Sequence, residues 1–152
     1  MRALVQRVRS ARVEVDNHII TEIGPGLLVL VGFTHTDSLL DAESISKKIL
    51  RLPLFASKET EYPLDLNVMQ KNYELLLVSQ FSLYGVFKGN RLDFHGAMPS
   101  EQAKPIYEAL VEIFCQQYDP GRVKDGKFGI KRQVFAVNDG PLAIQLDSES
   151  NE

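Results

Sequence analysis

Two hydroxyls and an amide stand where a buried strand should end. Leu75, Leu76, Leu77 and Val78 form a short apolar run, the pattern of a strand covered on both faces. Such strands normally end in turn residues and solvent. This one runs into Ser79, Gln80, Phe81 and Ser82, then returns to Leu83 and Tyr84. Polar groups at that depth cost stability unless they are hydrogen-bonded. Two readings are open. Either the hydroxyls close backbone groups at a strand end, or they floor a pocket where side chains and peptide N–H groups face a ligand.

Other chemistries fit less well. His18, His35 and His95 lie far apart, and no Cys or carboxylate near them completes a metal-ligand spacing. Gly24-Pro25-Gly26 precedes a strand rather than a helix, so it is no phosphate cradle. Cys115 falls inside a helical stretch, as a structural thiol does. Ser79 or Ser82 with His95 and Asp93 makes a Ser-His-Asp set only on paper, since nothing in the spacing brings them together. Neither a metal nor a cofactor is expected.

The elements that must position Ser79 to Ser82 can be read from periodicity. Ala3 to Val8 and Ala11 to Val15 read as half-buried strands, with Ala11, Val13 and Val15 opposite Arg12 and Glu14. Asp16-Asn17 is a turn and His18 to Ile23 a third strand. Leu27 to Val31 is apolar throughout and predicts a central strand. Thr36, Asp37 or Ser38 can cap a helix carrying Ala42, Ile45, Ile49 and Leu52, which Pro53 ends. Ser57 to Leu66 and Val86 to Pro99 read as loops. Ser100 can cap a second helix striped by Ala103, Tyr107, Leu110 and Phe114. Pro105 conflicts with that start, so either the helix begins later or its first turn is distorted. Gln133 to Val137 and Leu142 to Leu146 are the last strands. The order predicts an α+β domain, mainly antiparallel, with two main helices. It spans residues 1–147, and a polar tail covers 148–152.

Composition bounds the class. The 152 residues suit one domain, and 44% are hydrophobic, enough to bury roughly 70% of the unfolded surface. No apolar run approaches a membrane span, and no secretory signal is expected. A single cysteine fits a reducing, cytoplasmic setting. A net charge of −3 and a pI near 5.6 argue against a general nucleic-acid binder.

A second stretch supplies the context. Asn138-Asp139-Gly140-Pro141-Leu142-Ala143 is a turn signal between two apolar runs. Together with Ser79-Gln80-Phe81-Ser82-Leu83 it resembles the D-aminoacyl-tRNA deacylase family, whose motifs are Ser-Gln-x-Thr-Leu and Asn-x-Gly-Pro-x-Thr. The resemblance extends to Met1 through Val8, Lys88-Gly89-Asn90, Asp93-Phe94-His95 and Asp125-Gly126-Lys127-Phe128-Gly129. It covers nearly the whole chain.

The resemblance implies a compact β-barrel-like core with helices outside it, and a homodimer. It implies hydrolysis of the ester joining a D-amino acid, or glycine, to the 3′-terminal adenosine of tRNA. Ser79, Gln80 and the Phe81 backbone would hold and polarise the substrate, with the ribose 2′-hydroxyl helping to activate water. The other view makes Ser82, at the family's usual Thr, a nucleophile. Gly140-Pro141 carries selectivity in the family. Its bond is cis, and its carbonyls project into the partner's site where an L-side chain would clash. Arg7 matches the arginine that braces this loop, Asn138 opens the motif, and Phe128 flanks the adenosine site.

Two departures stand out. Ala143 replaces the second motif's Thr. Arg132 stands where the family often has Met, and it can stack on adenine, reach phosphate or alter which tRNA end is bound. The tRNA would also need a basic patch, for which Arg2, Arg7, Arg9, Arg12, Lys88, Arg91, Lys124, Lys127, Lys131 and Arg132 are candidates. The alternative function is a non-catalytic tRNA-binding module with the same fold.

Overall fold

The computed structural model describes residues 1–149. The last residues of the expected tail, 150–152, lie outside the described residues. Strand β1 (Arg2–Val15) is the organising element. Its first half pairs antiparallel with β3 (Gly26–Gly32), its second half with β2 (His18–Ile23), and its other edge with β8 (Gln133–Asp147) along most of its length. The sequence suggested two strands here. They are one, because β1 bends through register shifts near Val8 rather than breaking. Asp16 and Asn17 both take positive φ in the β1–β2 turn, the backbone a tight hairpin turn requires.

β4 (Glu74–Ser79) pairs parallel with both β3 and β7 (Val123–Asp125). The sheet is thus mixed, with antiparallel ladders around two parallel ones, and it curls into a nearly closed barrel-like form. Alternation along β4 serves two cores. Leu75 and Leu77 face the main cluster under both helices, whereas Leu76 and Val78 join Val8, Ala11, Val13 and Leu28. All four β4 side chains are essentially inaccessible, and full burial of each stabilises by about 1.5–3 kcal/mol.

Helix α1 (Leu39–Arg51) begins at a capping box, with Ser38 and Asp41 satisfying each other's exposed N–H groups. It buries Ala42, Ile45 and Ile49 as the spacing predicts. Helix α2 (Ser100–Gln117) starts at Ser100 with Pro105 inside it, and Pro99 rather than Ser100 occupies the cap position. The helix is neither delayed nor led by a serine cap. Pro105 is tolerated because its missing N–H would have bonded Glu101, and both residues face water. The α2 stripe of Ala103, Tyr107, Leu110 and Phe114 is buried.

Two other expectations are corrected. The segment 86–99 contains a hairpin, β5 (Val86–Lys88) and β6 (Arg91–Asp93), turned by Gly89 and Asn90 at positive φ. Its strands are too short to show periodicity. The chain from 133 to 147 is one strand rather than two strands about a turn. Asn138 to Gly140 falls at an irregularity in the β1–β8 ladder, which absorbs the extra length.

Candidate active site

The end of β4 is fixed by its neighbour. Ser79 lies opposite Val31 of β3, and the Gln80 N–H donates to the Val31 carbonyl at 2.7 Å. Gly32 permits this approach, since a Cβ there would lie 2.8 Å from the Gln80 carbonyl oxygen. The chain then closes into a single 3-10 turn, Phe81–Tyr84. Leu83 N–H is the first to bond back, to Gln80 O at 3.3 Å. The N–H groups of Phe81 and Ser82 precede it, so the turn itself offers them no acceptor. Among the described residues no hydrogen bond engages these two adjacent peptide donors at the mouth of a buried strand, and Phe81 is 60% exposed.

Phe81 borders a cleft of about 440 Å³, and Ser82 follows it just outside the lining. Ser79, Gln80 and Phe81 line the cleft, with Met98 and Ala103 from around the α2 start and Phe128 through Arg132 completing the lining. Phe128 packs on Tyr107 with ring centroids 5.4 Å apart. The single Tyr107 hydroxyl proton is shared between Asp125 Oδ1 at 2.7 Å and Leu77 O at 3.0 Å. Burial, then the Asp125 carboxylate, drives the tyrosine pKa far up. Its hydroxyl is thus a permanent donor that ties α2 to β4 and β7 behind the site.

Both hydroxyls of the first motif accept hydrogen bonds. Gln80 Nε2 donates to Ser82 Oγ. Arg132 Nη2 donates to Ser79 Oγ at 3.0 Å and to the Ser79 carbonyl at 2.7 Å, while Nη1 holds Ile130 O at 2.9 Å. Burial lowers the pKa of this guanidinium against the fields of Tyr107 and Asp125.

The paper triad is not assembled. His95 Nδ1 pairs with Asp93 Oδ1 at 2.6 Å, but the ring is 95% exposed. Neither residue borders the cleft. Among the described residues no cluster of three metal-ligating side chains occurs.

The second motif lies elsewhere in the chain. Arg7 Nε donates to Asp139 O at 3.2 Å and lies 3.4 Å from Asp139 Oδ2, and Nη1 donates to Leu54 O at 2.7 Å. Gly140 has φ +121°, and a Cβ there would sit 3.2 Å from Arg7 Nη2. The positive φ favours glycine here, and any side chain would also press on the arginine. The Gly140–Pro141 bond is cis, and both residues are exposed. Asn138 Oδ1 accepts from Gln6 Nε2 at 3.5 Å.

The structure therefore brings Ser79, Gln80, Phe81, Phe128 and Arg132 to one cleft and places Ser82 beside it through Gln80. It gathers Arg7, Asn138, Gly140 and Pro141 on a separate surface. Sequence reading missed Tyr107 and Asp125. The available signal was a tyrosine on an otherwise apolar stripe, which needs a partner for its hydroxyl when buried.

A family model described as D-Tyr-tRNA(Tyr) deacylase matches residues 4–147. A D-aminoacyl-tRNA deacylase of Dictyostelium discoideum is 42% identical over 149 residues, covering 98% of this chain and 99% of its own. One of Drosophila melanogaster is 45% identical over 148 residues, covering 97% and 92%. A solved structure titled c-Myc DNA Unwinding Element Binding Protein superposes with a TM-score of 0.94 at 44% identity, covering 99% of this chain and 100% of that one.

Proposed function

The chain belongs to the D-Tyr-tRNA(Tyr) deacylase family, and from that premise we propose that it hydrolyses the ester bond of D-aminoacyl-tRNA. The observation that carries the reading is the pair of free peptide N–H groups at Phe81 and Ser82 beside the cleft. The tRNA 3′ end enters the cleft with its ester carbonyl toward the 3-10 turn. Water attacks the carbonyl carbon and the carbonyl oxygen gains negative charge. The Phe81 and Ser82 N–H groups stabilise that charge, and one such fixed donor is worth about 3 kcal/mol. The tetrahedral carbon then expels the ribose oxygen, which takes a proton, and free D-amino acid and tRNA leave. The neighbouring ribose 2′-hydroxyl relays the proton from water. Ser82 is a poor nucleophile here, because its oxygen accepts from the Gln80 amide and an unactivated hydroxyl attacks weakly.

Selectivity belongs to a homodimer on this reading. Arg7 holds the Gly140–Pro141 segment, with Asn138 at its start, so that it enters the partner's cleft and excludes an L-side chain. Glycyl-tRNA, having no side chain, is also accepted. Two features support the dimer. Gly140 and Pro141 do not line the cleft of their own chain. Strand β8 pairs with β1 on one edge only and leaves Val134, Phe135 and Val137 exposed, an arrangement that calls for a cover. No helix among the described residues is long and apolar enough to cross a membrane, and we place the activity in the cytoplasm.

The test is to offer matched D- and L-tyrosyl-tRNA and follow deacylation of each. Hydrolysis of the D-ester with the L-ester spared is expected. Salt-dependent tRNA binding with neither ester cleaved would instead establish the non-catalytic binding module.

A further inference from the structure

We infer that Arg132 is a positioning residue: it turns the Ser79 hydroxyl into a hydrogen-bond donor facing the cleft and brings a positive charge behind it. The inference rests on the deacylase reading above and adds to it a residue that acts through another.

The geometry leaves Ser79 little choice. A guanidinium has donors and no acceptor, so at 3.0 Å from Arg132 Nη2 the Ser79 oxygen must accept. The same Nη2 uses its other hydrogen on the Ser79 carbonyl at 2.7 Å. That second bond fixes the backbone of the residue whose side chain is being oriented. The one proton on Ser79 Oγ must then point away from Arg132. Ser79 borders the cleft, and among the described residues no other hydrogen bond engages its hydroxyl.

Arg132 lines the cleft, but its Nη donors are already engaged within the chain. Nη1 is committed to Ile130 O at 2.9 Å, and Nε is buried without an acceptor. Turning its N–H groups toward a phosphate would break three hydrogen bonds, and a base stacked on the guanidinium face would leave the Ser79 contacts in place. Among the described residues Arg132 also forms no ion pair. Asp125 and Tyr107 act on it only through their fields. Its charge is therefore not cancelled by a carboxylate in contact, and two of its three hydrogen bonds act on Ser79. A hydroxyl that accepts from a cation becomes a stronger donor in turn. The result is a charge-assisted O–H beside the free Phe81 and Ser82 N–H groups, aimed at an oxygen that becomes negative during ester cleavage.

The test is a double-mutant cycle on the full chain with D-tyrosyl-tRNA. Arg132→Met keeps side-chain length and removes every donor. It should lower the saturating rate about ten- to a hundredfold, the range for a hydrogen bond to a charged group, with KM nearly unchanged. Ser79→Ala should lose a similar factor, and the double variant should be no slower than Ser79→Ala alone. Arg132→Lys should recover part of the rate. Should Arg132→Met fail to fold by circular dichroism, Arg132→Gln takes its place in the cycle. Multiplicative losses, or a raised KM at an unchanged saturating rate, would overturn the inference and make Arg132 a direct tRNA contact. A wild-type chain without turnover overturns the deacylase reading itself. A wild-type chain that turns over while its variants multiply overturns this inference alone.

Discussion

Ser82→Ala separates the two ways this site can open an ester. Among the described residues Ser82 Oγ has one hydrogen-bond partner, the Gln80 side-chain amide, and the residue is exposed. Removing the hydroxyl leaves the Ser82 peptide N–H, the Phe81 N–H and the 3-10 turn in place, because the turn is closed by backbone bonds from Leu83 and Gly85. What is lost is one neutral hydrogen bond, roughly 0.5–1.5 kcal/mol. Converted to rate, that is a slowing of about two- to tenfold. If Ser82 Oγ were the nucleophile, the reacting atom would be gone and the rate would fall by several orders of magnitude. The assay is single-turnover deacylation of D-tyrosyl-tRNA by both proteins, on the natural substrate and on tRNA ending in 2′-deoxyadenosine. We expect the 2′-deoxy substrate to slow hydrolysis more than the mutation does. A folded Ser82→Ala protein that binds tRNA normally but is inactive, with the 2′-deoxy substrate unaffected, would refute the backbone mechanism.

Two further outcomes are expected. Light scattering at micromolar concentration should return twice the 17.1 kDa chain mass, and Val137→Lys on the exposed face of β8 should halve it and cost stereoselectivity; a fully selective monomer would defeat the shared-site reading. Arg7→Ala removes the donors to Asp139 O and Leu54 O, so the ratio of D- to L-ester cleavage should fall, with a stability loss of about 1–3 kcal/mol in thermal melts; an unchanged ratio would free Arg7 from any part in selection.

What sequence could reveal depended on how local the cause was. The β4 run was legible because four consecutive apolar residues admit few fates, and both neighbours of β4 are parallel strands that cover it. The α1 cap was legible because Ser38 and Asp41 satisfy each other within one turn. Pro105 misled because its effect depends on whether the orphaned Glu101 carbonyl meets water, which only the fold determines. The β5–β6 hairpin escaped because three-residue strands carry no period. Arg132 was visible as a departure, but its task was not. Its partner Ser79 is 53 residues away, and a guanidinium that stacks, binds phosphate or holds a serine is spelled the same.

Strand β8 shows the limit of reading one chain by itself. Its apolar residues at 134, 135 and 137 resemble a core strand, yet all three are exposed. An alternating strand hides one face and shows the other; β8 shows apolar side chains on both. The Gly140–Pro141 segment on the same strand is built with care: a glycine where a Cβ would crowd the arginine, and a guanidinium bonding the adjacent carbonyl. That investment sits outside the only cleft with free peptide donors described above. A braced loop set apart from the catalytic cleft and a cleft with no chiral wall are complementary parts, and a two-fold axis would join them twice. On the proposed reading, the exposed face of β8 is what brings them together.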